Sequence, residues 1–228
     1  MIPWELVDSA EVPGRGGVLT LHRRGGEFVI RQNGEELMTS RLHGSEDALA
    51  TLALEKLRGV KNPRVLIGGL GLGYTAAKAL QMLGPEARVT VAELVPKVIE
   101  WNRTLLSHLA GNPLKDKRLM AVEADVADII IASVSVFDAI LLDVDNGPEA
   151  LCRDANNRLY SDEGLWAAHR ALRSSGVFAV WSAHPDEHFT RRLRKKGFTA
   201  EAVSSHPRGA GRGGRHVVWI AKKAKEKY

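Results

Sequence analysis

The sequence predicts an α/β fold: a mostly parallel sheet with helices on both faces, closed by an antiparallel hairpin and preceded by a small β-rich region. Three observations carry that expectation. From Pro63 onward short apolar strands alternate with helical stretches, the first of these strands runs into a glycine-rich turn, and acids stand at the ends of successive strands. A chain of 228 residues suits one such domain with an appendage, and is short for two enzyme domains with full cores. The expected division places a β-rich region with a linking helix at 1–60 and the sheet domain at 61–228.

In the first region, Val18–His22 and Glu27–Arg31 flank Gly25-Gly26, which reads as a β-hairpin. Asn33-Gly34 marks a further turn before Glu36-Leu37-Met38. Ser45-Glu46-Asp47 opens a helix with Ala48, Leu49, Leu52 and Leu57 along one side. Strands then follow at Arg64–Gly68, Ala87–Ala92, Leu119–Ala124, Phe137–Leu142 and Gly176–Trp181. Helices are expected over Tyr74–Leu83, Pro96–Ser107, Leu165–Arg173 and Glu187–Lys195. Thr199–Ser204 and His216–Ala221, separated by a Gly/Arg loop with no helix, form the terminal hairpin.

Composition narrows the function classes. The chain is 44% hydrophobic and 26% charged, and no apolar run approaches the roughly 18 residues of a membrane span. The start, Met1-Ile2-Pro3-Trp4-Glu5, has neither a basic nor an apolar leader segment, so export is not expected. The single cysteine, Cys152, excludes an internal disulfide framework and a cysteine-clustered zinc site, and a cytoplasmic setting is the default. Residues 189–228 hold 12 Lys/Arg against two acids, whereas residues 1–188 hold 20 bases and 25 acids. This basic end offers weak polyanion contact, and residues 206–215 read as a mobile surface loop without aromatic residues for base stacking.

The strongest local signal is Val65–Thr75, an apolar strand followed by Gly69, Gly71 and Gly73 at alternate positions and then a helix. Glycine lets a backbone turn sharply and lie close to a ligand. Glu93 ends the next strand, 20 residues after Gly73, and suits hydrogen bonds to both ribose hydroxyls of an adenosine ligand. Asp125 follows the third strand, placed for an adenine amino group. The Gly-x-Gly-x-Gly spacing leans toward S-adenosyl ligands rather than dinucleotides.

The fourth strand ends in Leu142-Asp143-Val144-Asp145-Asn146-Gly147-Pro148. No histidine or cysteine lies near, so no metal is expected. The two carboxylates suit attraction of a cation, or removal of a proton from an attacking amine. Asp143 is read as functional, while Asp145 fits equally a second catalytic carboxylate and a turn cap. His184 and His188 read as surface residues, with Pro185 starting the helix that follows. Trp166 and Trp181 read as core, and Cys152 as inert.

On these residues the sequence resembles the spermidine synthase family, the polyamine aminopropyltransferases within the class I S-adenosylmethionine-dependent methyltransferase fold. Val65–Thr75 is similar to the family's glycine-rich motif, Ala92-Glu93-Leu94-Val95-Pro96 to its ribose-binding acid, and Ala124-Asp125 to its adenine-side acid. Leu142-Asp143-Val144-Asp145 stands where the family has its catalytic Asp-Ser-Ser/Thr-Asp-Pro segment. The resemblance implies a Rossmann-like seven-stranded sheet, a donor that is S-adenosylmethionine or its decarboxylated form, a small amine acceptor and a homodimer.

The departures matter for function. The family carries aspartates where this chain has Leu72 and Val95, and a Tyr-His-Glu signature where it has Ser45-Glu46-Asp47. Ordinary spermidine synthesis is therefore expected to be poor or absent. The expected function is a transferase moving a methyl or aminopropyl group from an S-adenosyl sulfonium to an amine. The alternatives are a nucleic-acid methyltransferase using the basic C-terminal region, and a nucleoside-binding protein without catalysis.

Overall fold

The computed structural model describes residues 2–14, 17–144, 157–205 and 216–225. Asp145, Cys152 and the loop 206–215, singled out above, lie outside the described residues.

The N-terminal region is a four-stranded antiparallel meander of β1 (Glu5–Glu11), β2 (Val18–Arg24), β3 (Glu27–Gln32) and β4 (Glu35–Thr39), paired in chain order. The β2–β3 hairpin turns at Gly25-Gly26 as the sequence predicts. β1 carries no alternating apolar pattern, because it is an edge strand with no fully buried residue. Leu21, Phe28 and Ile30 bury the inner face of this sheet in the core cluster that also holds Leu49 of α1 (Gly44–Glu55). That helix buries Leu49, Ala50, Ala53 and Leu54, so its core face is rotated from the expected Ala48–Leu52 side.

The second sheet has seven strands: β5 (Arg64–Gly68), β6 (Arg88–Glu93), β7 (Leu119–Glu123), β8 (Phe137–Leu142), β9 (Leu172–Ser182), β10 (Phe198–Ser205) and β11 (His216–Lys223). Their spatial order is β10-β11-β9-β8-β5-β6-β7, a Rossmann-like methyltransferase arrangement. β5 pairs in parallel with β6 on one side and β8 on the other, so the strand order reverses at β5. The last strand does not extend the edge. It inserts antiparallel between β9 and β10. Leu66, Ile67, Ile140 and Leu141 are fully buried because helices or the small sheet cover both faces. Each such side chain is worth about 1.5–3 kcal/mol relative to exposure. Asp138 is tolerated inside β8 because Arg173 pairs with it at 3.0 Å and the Arg64 N–H donates to it at 2.7 Å.

The helices are α2 (Tyr74–Met82), α3 (Pro96–Arg103), α4 (Val126–Ala132), α5 (Asn157–Tyr160), α6 (Asp162–Ala171) and α7 (Glu187–Lys195). α4 was not legible in the sequence, since Ile129-Ile130-Ile131 reads as a strand. Asp125 makes it a helix by accepting the Ala127 N–H at 2.8 Å, an N-cap. α6 starts before the expected Leu165, because Ser161 caps it by accepting the Gly164 N–H at 3.0 Å. α7 starts after Asp186, which caps the His188 N–H, and not at Pro185. Trp166 corrects a second expectation. It stands on the outer face of α6, 54% exposed, beneath the Arg170 guanidinium. No helix among the described residues is long and apolar enough to cross a membrane.

Candidate functional site

A cavity of about 410 Å³ opens at the carboxyl ends of β5, β6 and β8, where the strand order reverses and ligands of such sheets bind. The glycine turn, Glu93, Asp125 and Asp143 form its floor, and Ile30 and Met38 of the small sheet form part of its wall. The structure thus gathers most of the residues singled out in the sequence.

Gly69 holds the turn against the end of β8. Its φ is +87°, and a Cβ there would come within 2.4 Å of the Asp143 carbonyl oxygen. Its N–H donates to the Ala92 carbonyl at 2.8 Å, tying the turn to β6. Gly71 also lines the cavity, under Met38. Gly73 does not line it. At φ +86° it leads into α2, packed beside Asn102 and Pro113.

Glu93 is buried and accepts the Leu70 N–H at 2.8 Å and the Val95 N–H at 2.9 Å, one on each oxygen. Burial raises its pKa, and these backbone donors, with those of Gly71 and Leu94, oppose the rise. Glu93 lines the cavity at the end of β6, the strand-end position that suits ribose hydroxyls. Asp125 commits Oδ1 to the α4 cap and places Oδ2 3.9 Å from Arg158 at the cavity wall. The residues present fit a nucleoside: a glycine cradle, a ribose-side acid and a second acid one strand further on.

At the end of β8, Asp143 accepts the Thr75 hydroxyl at 2.6 Å. Burial pushes its pKa up to about 6, with the Thr75 bond opposing the rise. Glu46 of α1, which stands within the segment that replaces the family's Tyr-His-Glu signature, enters the same cavity. Its pKa is pushed up to about 7 by burial and then by the nearby Asp143 charge. The Ser45 hydroxyl donates to Glu46 at 2.7 Å. The start of α1 is anchored to α2 by His43, whose ring stacks on Tyr74 at 4.1 Å and 11°, and by the Tyr74 hydroxyl, which donates to the Ser40 carbonyl at 3.2 Å. A buried carboxyl whose charge raises the proton affinity of a second one beside it forms with it a site for a cation or a proton.

Leu72 is buried and lines the cavity, so an apolar side chain stands there. Trp181 packs against the core as expected and also lines the cavity. Strand register held the signal for Trp181: Leu141 pairs with Ala179 and Leu142 with Val180, so Asp143 and Trp181 stand level on the same face. For Glu46 the signal was its place in the segment that replaces the family's Tyr-His-Glu signature, while its approach to Asp143 depends on how the small sheet and α1 pack over the large one. Among the described residues no cluster of three metal-ligating side chains occurs.

No protein-family model and no curated protein sequence matches the chain. Solved structures do. A spermidine synthase in complex with the transition-state analogue AdoDATO shares 21% identity at a TM-score of 0.76, over 97% of this chain and 73% of that one. The spermidine synthase of Thermotoga maritima shares 20% identity at 0.76, over 97% and 74%. A protein described as a probable spermidine synthase of Corynebacterium glutamicum shares 17% identity at 0.68, over 98% and 82%. The chain has a spermidine synthase-like fold, from its small antiparallel sheet to its last strand.

Proposed function

We propose that the protein is a transferase that moves a group from an S-adenosyl sulfonium to the nitrogen of a small amine. The observation that carries this reading is the Glu46–Asp143 carboxylate pair at one end of a cavity whose other acids, Glu93 and Asp125, suit a nucleoside. Glu93 binds the ribose hydroxyls, Gly69 and Gly71 lie along the sulfonium arm, and Asp125 meets the adenine amino group. The acceptor enters as an ammonium held by Asp143 and Glu46. It loses a proton to this pair, and its nitrogen lone pair attacks the carbon beside S⁺ in line. The new C–N bond forms as the C–S bond breaks, the bonding electrons return to sulfur, and a neutral thioether nucleoside leaves. Catalysis is then positioning plus proton removal.

Lining charge supports the decarboxylated donor. Five carboxylates, those of Glu36, Glu46, Glu93, Asp125 and Asp143, line the cavity, and no lysine or arginine does among the described residues. Intact S-adenosylmethionine brings a carboxylate with no lysine or arginine among the described lining residues to meet it, whereas the decarboxylated form ends in an ammonium that Glu36 can meet in place of an acid at Leu72. The transferred group is then aminopropyl. Asp145 keeps its sequence-based reading, equally a second catalytic acid or a turn cap, and a cytoplasmic homodimer completes the proposal. The test is mass spectrometry of purified protein incubated with each donor and a panel of amines. Release of methylthioadenosine with an aminopropylated amine supports the reading. S-adenosylhomocysteine as the product assigns methyl transfer instead, and no product from either donor defeats the enzyme reading.

A further inference from the structure

Building on the transferase reading, we infer that Trp181 selects the acceptor, favouring an amine whose far end carries a hydrogen-bond-accepting oxygen over one ending in a second ammonium. Trp181 lines the same cavity as Asp143 and Glu46, and stands level with Asp143 on the neighbouring strand. Its ring meets His216 edge to face, at 5.0 Å and 85°.

The Trp181 Nε1–H is sealed from water and has no hydrogen-bond partner among the described residues. An indole nitrogen is only a donor, and a buried donor left unpaired is costly. The ammonium of a diamine is also only a donor, so it cannot relieve that cost and would set two donors against each other. A hydroxyl, ether or carbonyl oxygen accepts the bond. A ligand that seats against the ring and turns it slightly gains a bond that hydration does not supply in the free protein.

The experiment compares 1,4-diaminobutane with 4-aminobutan-1-ol, amines of equal length in which one amino group is replaced by a hydroxyl. Each is titrated calorimetrically into the full-length protein loaded with methylthioadenosine, and each is assayed with the decarboxylated donor. The expected result is a preference of roughly tenfold or more for the amino alcohol. In Trp181→Phe, which keeps an aromatic ring and removes the N–H, that preference should fall to about one while methylthioadenosine affinity stays unchanged. Trp181→Leu serves if the phenylalanine variant fails to fold, since it too removes the donor, and the wild-type ratio decides on its own. Preference for the diamine, an unchanged ratio in a folded variant, or binding of neither amine to the loaded protein would overturn the inference. Failure of methylthioadenosine itself to bind would overturn the transferase reading instead, and this one with it.

Discussion

Thr75, in the first turn of α2, donates its hydroxyl to the carboxylate of Asp143, at the end of β8, across 2.6 Å. The bond joins the helix that follows the glycine turn to the acid at the reacting end of the cavity. It also stabilises the ionised form of a carboxyl that burial alone would keep protonated. Thr75→Val keeps the shape and removes the donor. The pH above which the enzyme is active should then move upward, with little change in nucleoside affinity. A pH–rate profile checks this, and an unshifted acidic limb would show that Asp143 is not the titrating group.

The carboxyl pair also sets a pH dependence of stability. Asp143 titrates at about 6 and Glu46 at about 7 in the folded protein, both above their ordinary values. Between roughly pH 4 and 7 the folded state therefore binds more protons than the unfolded chain. The contribution is fully present below the unfolded pKa values and is lost as pH rises through the folded ones. Melting temperature should fall by several degrees between pH 5 and 8. In Asp143→Asn the fall should be smaller, and thermal melts across that range measure it.

The glycine turn makes a structural prediction. Gly69→Ala forces a Cβ against a backbone oxygen at 2.4 Å and at a φ of +87°, with no flexible atom to yield. It should destabilise the protein by more than about 3 kcal/mol and abolish nucleoside binding. At Gly71 the nearest atom is the Met38 sulfur at 2.9 Å, which can move, so Gly71→Ala should cost less. Denaturant unfolding of the two variants gives the order directly.

Glu93 does two tasks, and its variant should show both. Glu93→Gln keeps one accepting oxygen for Leu70 or Val95 and loses the charge. Removing a charged hydrogen-bond partner should lower methylthioadenosine affinity roughly ten- to a hundredfold. Calorimetry on a variant shown to be folded checks this, and unchanged affinity would remove Glu93 from the ribose site.

Much of this was legible in the sequence because it is local. The Val65–Gly73 turn, the acid at the end of each successive strand and the alternation of strands with helices all follow from residues close together in the chain. What was missed depends on contacts between distant segments. Glu46 becomes a site residue only when α1 packs beside α2, and Trp181 belongs to the cavity only through its level with Asp143 across two strands. β1 was missed because an edge strand needs no apolar alternation, and α4 because its helix depends on the cap supplied by Asp125 rather than on its own apolar run. Trp166 shows the reverse error, since a large aromatic residue on a helix was assigned to the core although α6 turns it to solvent.

The proposed transfer requires a cavity that takes an S-adenosyl donor without a carboxylate and hands its aminopropyl group to an amine. The most direct measurement is calorimetric titration of S-adenosylmethionine, its decarboxylated form and methylthioadenosine side by side, near pH 8, where Glu46 and Asp143 are ionised. The account predicts that the decarboxylated form binds most tightly, that methylthioadenosine follows, and that intact S-adenosylmethionine is weaker than the decarboxylated form by at least roughly tenfold. Equal or tighter binding of intact S-adenosylmethionine would contradict the account.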